Sequence, residues 1–531
     1  MHPLICASLG VGCADALRQR STRPIPRLAA VLLCFSLGTF SAAAPAGPAA
    51  AASVFKAGFA ERDITPSIGM EQPGGYKKAF HRAFHDSCKV RVALFDDGRT
   101  KVVLVGLDAL VVPRQVVLNA RAGIEKQCRI PGRAVMIGAS HSHSSGPVGM
   151  ILPGEFDDAP EDLRRLAYEE SSMADAGYLL RVTREIVEGV KLADATRVPA
   201  QLGAGLGHED KVAFNRRLRM KNGRSWSHPG AMNPDIVGYA GPIDPQVGVV
   251  GAWDSNGKLL GTVVNFSCHA TTSPGGISAN WIYYLERTIQ GALDSRAPVV
   301  FMQGACGDVT QVDNLSPNQR PAPEAWAHLV GGRVGAEAVK VLLAMPRSAD
   351  VPLDARQRVW NIKRRIPSPG HVAKARATIA QKPRPPDAAD WLFAKETLML
   401  DYLVRKEPAV EVEVQALKVG PAVFVSNPAE YFVQYGLEIK KGSNFKFTFP
   451  VELANGCVGY VPTEEAFSAP GGGYETRLTY YSNLEITAGR QFAETGIKLA
   501  NEMKPGPVPE FAKLKAPGQP WSYGNVPPQV D

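Results

Sequence analysis

In the stretch Ala134-Val135-Met136-Ile137-Gly138-Ala139-Ser140-His141-Ser142-His143-Ser144-Ser145-Gly146-Pro147, an apolar run gives way to small residues and two histidines. Residues 134–137 have the length and composition of a buried strand. In an extended chain, residues i and i+2 point to the same side. His141 and His143 are therefore expected to face one cavity at the strand's end, before Gly146 and Pro147 turn the chain. Imidazole is the commonest metal ligand and the usual proton carrier near neutral pH. A polar loop whose histidines cap nearby carbonyls would show the same His-x-His pattern, so the rest of the chain has to decide.

Working outward, residues 89–95 alternate with period two, and Asp96-Asp97-Gly98 turns them into a returning strand at 102–107. Helical spacing over 111–128 leads into the histidine strand. Residues 246–253 and 259–266 form a second hairpin around Asp254-Ser255-Asn256-Gly257, and its second strand runs into Ser267-Cys268-His269. A short strand at 298–302 opens into Gln303-Gly304-Ala305-Cys306-Gly307-Asp308-Val309-Thr310. Strand 422–426, partner of the alternating 410–419, ends in Asn427-Pro428-Ala429-Glu430. Upstream, a strand at 54–63 closes on Asp63-Ile64-Thr65-Pro66. Helices are expected over 160–192 (as two), 324–345 and 486–503, with another helical region broken by the Pro-rich 382–386 and resuming at Ala388. Residues 214–241, rich in Arg, Asn, Gly and Pro, read as an ordered loop. Hairpins mixed with strand–helix units give an α/β (α+β) class with mixed sheets and flanking helices. Sites in layered sheets gather at strand ends, and four strands here end in His141, His269, Asp308 and Glu430.

The 531-residue chain is long enough for a large core, and its 21% charged residues are ordinary for a globular protein. Of the net +8, four arginines against Asp15 place +3 within residues 1–45. The remaining charges are interspersed without a basic block or nucleic-acid motif, which argues against a nucleic-acid partner. Arginines at 18–27, an apolar run at 28–40 and Ser41-Ala42-Ala43-Ala44 have the layout of a secretory signal. The run is too short to span a bilayer, so a secreted or periplasmic location is expected. The division expected is a leader at 1–45, a catalytic domain at 46–503 and a Pro-rich tail at 504–531. Beyond the leader lie Cys88, Cys128, Cys268, Cys306 and Cys457, an odd number with no Cys-x-x-Cys spacing. Buried free thiols are the expectation, with a Cys88–Cys128 bridge the alternative.

With these pieces assembled, the chain resembles the catalytic domain of the neutral/alkaline, non-lysosomal ceramidase family. The matching pieces follow the family's order: Asp63-Ile64-Thr65-Pro66 with Gly75-Tyr76, then His141-Ser142-His143-Ser144 with Gly146-Pro147, then Asn215-Arg216-Arg217. They continue with His269-Ala270-Thr271, Gln303-Gly304 with Gly307-Asp308-Val309-Thr310, Pro428-Ala429-Glu430, and Gly459-Tyr460-Val461-Pro462-Thr463-Glu464-Glu465. The resemblance implies one zinc ion held by His141, His269, Glu430 and Tyr460, of which Tyr460 would not be chosen from chemistry alone. It implies hydrolysis of an N-acyl amide, N-acylsphingosine to fatty acid and sphingosine, by attack of zinc-bound hydroxide. His143 would act as proton shuttle or oxyanion donor. Arg216, with Arg217 as a competing alignment, would face the reacting carbonyl.

Two departures qualify that expectation. Thr310 and Gln311 stand where the family usually has serine and proline; threonine keeps the hydroxyl but restricts its rotamers. Asp308 would orient Thr310 or cap a helix. The family's C-terminal β-sandwich is also not matched here, and the sequence around Tyr474, Tyr480 and Tyr481 differs from that of long-chain members. The expected partner is therefore a small-molecule or lipid amide, with room for peripheral membrane contact. The alternatives are a zinc hydrolase of another small amide or ester, and a non-catalytic exported binding protein with structural zinc. The oligomeric state is not legible in the sequence.

Overall fold

A mixed sheet of eight strands runs, from edge to edge, Val299–Gln303, Leu259–Phe266, Gln246–Asp254, Val198–His208, Lys56–Asp63, Lys89–Asp96, Lys101–Leu107 and Val135–Ala139. The computed structural model describes residues 54–384 and 388–531. Residues 1–53, with the expected leader, and 385–387 in the Pro-rich loop lie outside the described residues. The outermost pair at each edge is parallel and the inner pairs are antiparallel, so both hairpins expected from sequence form. At the first hairpin turn the Asp96 carboxylate accepts the Gly98 N–H at 2.8 Å, with Gly98 at φ 81°. The strand Val299–Gln303 at one edge also contacts Lys101–Leu107 and Val135–Ala139 at the other. That approach brings strand ends far apart in sequence to one pole.

Val198–His208 was not expected as a strand. Its glycines give it little strand signal, but they are what the packing needs. A Cβ on Gly203, Gly205 or Gly207 would lie 2.4, 2.6 or 2.6 Å from Met345, Val341 or Glu337, at or just beyond the C-terminal half of the helix Pro323–Leu343. A second sheet, Leu353–Lys363, Ala409–Val419, Ala422–Ser426 and Phe447–Val451, has its last pair parallel. Leu417, Phe424 and Phe449 share one core with Val92, Val105 and Val250 of the large sheet. Helices Arg114–Cys128 and Ala176–Thr196 pack together, as do Trp281–Ala292 and Pro323–Leu343.

The alternation over 89–95 suggests one wet face, yet Lys89–Asp96 is buried almost throughout. Arg91, only 2% exposed, donates to Asp108 at 2.5 Å and to Glu286 at 2.6 Å. The network pins the helix Trp281–Ala292 to the sheet, and carboxylate partners are what make a buried arginine tolerable. Residues 214–241 are not a loop throughout. Arg217–Met220 lies between Ser225–Ser227 and Ile236–Tyr239 in a small antiparallel sheet, while Phe214–Asn215 pairs with Val309–Thr310. Strands this short carry too few residues to show alternation. The five cysteines among the described residues are free, so the Cys88–Cys128 bridge is not formed. Both side chains pack in the main core as small apolar groups. Beyond the final helix, Ala488–Asn501, the chain has no helix or strand and is mostly exposed from 507 on. No helix among the described residues is long and apolar enough to cross a membrane.

Candidate active site

The loop after Val135–Ala139 is held on both sides by backbone bonds. Ser140 N–H donates to Leu107 O at 2.8 Å and Ser142 N–H to Ala109 O at 3.1 Å. His141 takes φ 62°, so the extended-chain account of the two histidines is not what operates. A left-handed residue breaks the strand, and His143 then donates its N–H to Ala270 O at 3.1 Å. A Ser142–Ala270 bridge joins this loop to the one carrying His269. Both histidines still reach the same cavity, of about 600 Å³, which His269, Glu430, Tyr460, Arg216 and Thr310 also line.

Hydrogen bonding sets the tautomers. His141 Nδ1 lies 3.0 Å from Leu110 O, and His269 Nδ1 lies 2.8 Å from Cys306 O. A carbonyl can only accept, so each Nδ1 carries a proton and each ring turns its Nε2 towards the cavity. Glu430 Oε2 stands 3.3 Å from His141 Nε2 and 3.2 Å from His269 Nε2. That oxygen is buried without a well-formed hydrogen bond, despite belonging to a charged group. Two ring nitrogens and a carboxylate oxygen converging on one point fit a divalent cation, and nitrogen and oxygen donors suit zinc. His143 Nε2, 3.1 Å from His141 Nε2, completes a cluster of three imidazoles whose ligating atoms lie within 4.8 Å. We favour Glu430 over His143 as the third donor because its Oε2 lies between the two Nε2 atoms without a well-formed hydrogen bond of its own.

Glu430 pairs in parallel with Tyr460, the remaining expected donor. Gly459 must precede that tyrosine: it has φ 78°, and a Cβ there would lie 1.5 Å from Tyr481 O. Tyr460 Oη is 3.0 Å from Tyr474 Oη. Burial, with Glu430 behind it, pushes the Tyr460 phenol well above its usual range. Burial would also raise Glu430, but His141 and His269 outweigh it and hold the carboxyl well below its usual value. For His141 burial is likewise outweighed, here by Glu430, and its pKa rises. Burial, His141 and His269 drive His143 well down, while burial, Arg216 and His141 take His269 to about 3.

Of the two candidate arginines, Arg216 enters the cavity. It donates through Nε to Glu475 at 2.8 Å and through Nη2 to Gly307 O at 2.7 Å, with Nη1 3.0 Å from His269 Nε2. Its guanidinium carbon lies 5.5 and 5.1 Å from the Tyr460 and Tyr474 rings. Arg217 turns the other way, donating to Gly472 O and lying over Phe432. Thr310 lines the cavity with its hydroxyl accepting the Val312 N–H at 3.2 Å. Gln311, in the family's proline position, accepts from the Thr271 hydroxyl at 2.9 Å.

Asp308 is the expected site residue that falls outside the cavity. Its carboxylate accepts Val433 N–H at 2.9 Å, at the start of the helix Val433–Gly442, and Asn215 Nδ2 at 2.8 Å. With both oxygens so engaged it caps a helix rather than orienting Thr310. Tyr480 also turns away, donating to Glu155, whereas Tyr474 and Tyr481 line the cavity.

Two carboxyls went unread in the sequence. Glu475, fully buried, anchors Arg216. Glu452, also fully buried, accepts the N–H groups of Cys306 and Tyr431 at 2.9 Å each. It thereby ties the loop that orients His269 to the residue after Glu430, and burial pushes its carboxyl up to about 8.

No protein-family model matches the chain. It is 23% identical over 519 residues to the neutral ceramidase of Pseudomonas aeruginosa, covering 85% of this chain and 72% of that one. The crystal structure of the neutral ceramidase from Pseudomonas aeruginosa shares the fold with a TM-score of 0.61 at 19% identity, over 86% of this chain and 76% of that one. A ceramidase complexed with C2 gives 0.62 at 21% identity, over 87% and 77%. Sequence similarity to that neutral ceramidase thus runs along most of both chains, and this chain shares the fold of the two solved ceramidases.

Proposed function

We propose that the protein is an exported, zinc-dependent hydrolase that cleaves the N-acyl amide of a ceramide-like lipid into fatty acid and amine. The observation supporting this reading is the buried Glu430 oxygen, without a well-formed hydrogen bond, facing the Nε2 atoms of two imidazoles. His141, His269 and Glu430 would hold the zinc, with Tyr460 as the fourth donor. When bound, zinc supplies Lewis acidity and lowers the pKa of water towards about 7.

The chain's own residues account for the rest. Arg216, fixed by Glu475 and the Gly307 carbonyl, presents a preorganised cation to the oxygen of the reacting carbonyl. His143, kept neutral by burial and by its two neighbouring imidazoles, can accept a proton at Nε2 and return it to the departing amine. Tyr474 and Tyr481 offer aromatic faces to the acyl or amine chain. The Thr310 hydroxyl orders its own loop through Val312 N–H, and the reaction needs no nucleophile from it.

The cavity also favours one second reading. Asn314, Arg320 and His228 add polar groups to its lining, which suits an amide or ester with a more polar amine or alcohol portion than sphingosine. The test is fatty-acid release from a short-chain ceramide by protein lacking residues 1–45, with and without a zinc chelator. Chelator-sensitive release is expected. No release from folded, zinc-loaded protein would overturn ceramide as substrate, and undiminished release after verified removal of the metal would overturn the zinc assignment.

A further inference from the structure

Behind the catalytic cavity lies a second one of about 710 Å³ whose charge is one-sided. Arg365, Lys374 and Arg477 line it together with His371, against a single carboxylate, Asp390. Arg365, Lys374 and Arg477 form no ion pair among the described residues. Arg365 is the informative member. Its Nε and Nη2 donate to the carbonyls of Leu484 and Ser482, each at 2.9 Å, and its guanidinium carbon lies 4.7 Å from the centre of the Phe467 ring. Carbonyls and a ring satisfy its hydrogen bonds and packing but supply no countercharge. Burial accordingly pushes its pKa down to about 10, with no anion restoring it. Removing an ion from water without a counterion is costly, and Arg91 in this same protein shows the compensated alternative.

Arg477 is placed to receive a ligand. Its guanidinium carbon sits 4.0 Å from the centre of the Phe393 ring, a contact that uses its face and leaves the in-plane N–H fork free for an oxyanion. The three permanent cations less one carboxylate leave two net positive charges, and a phosphate monoester carries about −1.5 to −2 at neutral pH. We propose that this cavity is a binding site for a phosphate monoester, gripped by Arg477 and Lys374 at its mouth and by Arg365 from within. It shares walls with the catalytic cavity. Phe393 packs on Tyr76 at 5.7 Å, and Arg477 follows the turn Tyr474–Thr476; Tyr76 and Tyr474 both line the catalytic side.

The ester could be a free metabolite or the headgroup of a membrane lipid, and binding assays separate the two. The full mature protein is titrated with sn-glycerol 3-phosphate by calorimetry at fixed ionic strength. In parallel it is sedimented with phosphatidylcholine vesicles with and without phosphatidic acid. Both assays are repeated on the double variant Arg477→Gln, Lys374→Gln, whose side chains lie at exposed positions, after its melting temperature is matched to wild type. Saturable binding of glycerol 3-phosphate, weakened about tenfold or more in the variant, assigns a free phosphate ester. Binding to phosphatidic-acid vesicles alone, lost in the variant, assigns a headgroup. If neither probe binds, or if the variant binds as tightly as wild type, the site does not exist. No amide substrate enters these assays, so they stand or fall apart from the hydrolase reading.

Discussion

The floor and the rim of the catalytic cavity are built on opposite principles. On the floor, His141, His269 and Glu430 are each at most 2% exposed; both imidazoles donate through Nδ1 to backbone carbonyls, and the Glu430 backbone is paired to Gly459. On the rim, Arg320 is exposed, and Gln311 and Asn314, themselves buried, belong with it to a segment that is neither helix nor strand. Rigid placement suits a metal, whose ligands tolerate little displacement, whereas an adaptable loop suits discrimination among substrates. On the proposed reading, the floor would set the reaction and the rim its range.

Breaking the floor should have the largest effect. His141→Ala or His269→Ala is expected to leave little zinc in purified protein by elemental analysis, and to lower turnover by more than the ~10–100-fold typical of losing a supporting residue. Normal zinc content in both variants would remove the ligand assignment and, with it, the contrast between floor and rim.

A smaller effect is expected in the wall that carries Tyr76 to the rim. Lys395, fully buried, donates to Tyr76 O at 2.6 Å and to the Ser171 hydroxyl at 2.5 Å, and lies 3.3 Å from Glu396. Burial pushes Glu396 up to about 7, against 4.5 for a free side chain. A carboxyl raised on folding contributes stability below its unfolded pKa and loses that contribution as pH rises through the folded one. The urea midpoint of the wild type should therefore fall between about pH 4.5 and 7 relative to Glu396→Gln, which has no proton to lose. Parallel profiles for the two proteins would show that Glu396 does not titrate in this range.

How far these regions could be read from sequence follows the same division. His141, His269 and Glu430 were legible because each interrupts the apolar end of a strand with a residue that does not belong in a core. Tyr460 was legible only through resemblance, since a tyrosine after Gly459 is ordinary in itself. Glu475 and Glu452 were illegible: they meet Arg216 and Cys306 across 259 and 146 residues, and no local pattern announces such a partner. For Asp308 the sequence left two roles open, orienting Thr310 or capping a helix, and the geometry favours the cap. Its position beside Thr310 suggested shared chemistry, but the nearest unsatisfied donor was the N–H at the start of a helix 125 residues away. In the fold, alternation revealed the two hairpins, while Val198–His208 stayed hidden because its glycines are selected by the helix above them.

The smallest expected effect sharpens the boundary itself. Thr310 lies where floor meets rim: it is 2% exposed and lines the cavity, yet its hydroxyl bonds within its own loop. If that hydroxyl only orders the loop, Thr310→Ala loses one hydrogen bond of about 0.5–1.5 kcal/mol. Turnover should then fall by no more than about tenfold, with zinc content unchanged and Thr310→Ser close to wild type. A loss at Thr310→Ala as large as that of either histidine variant, with zinc retained, would make the hydroxyl a participant in the chemistry. Thr310 would then belong to the floor, and the departure from the family's serine would be a change in catalytic machinery rather than in loop structure.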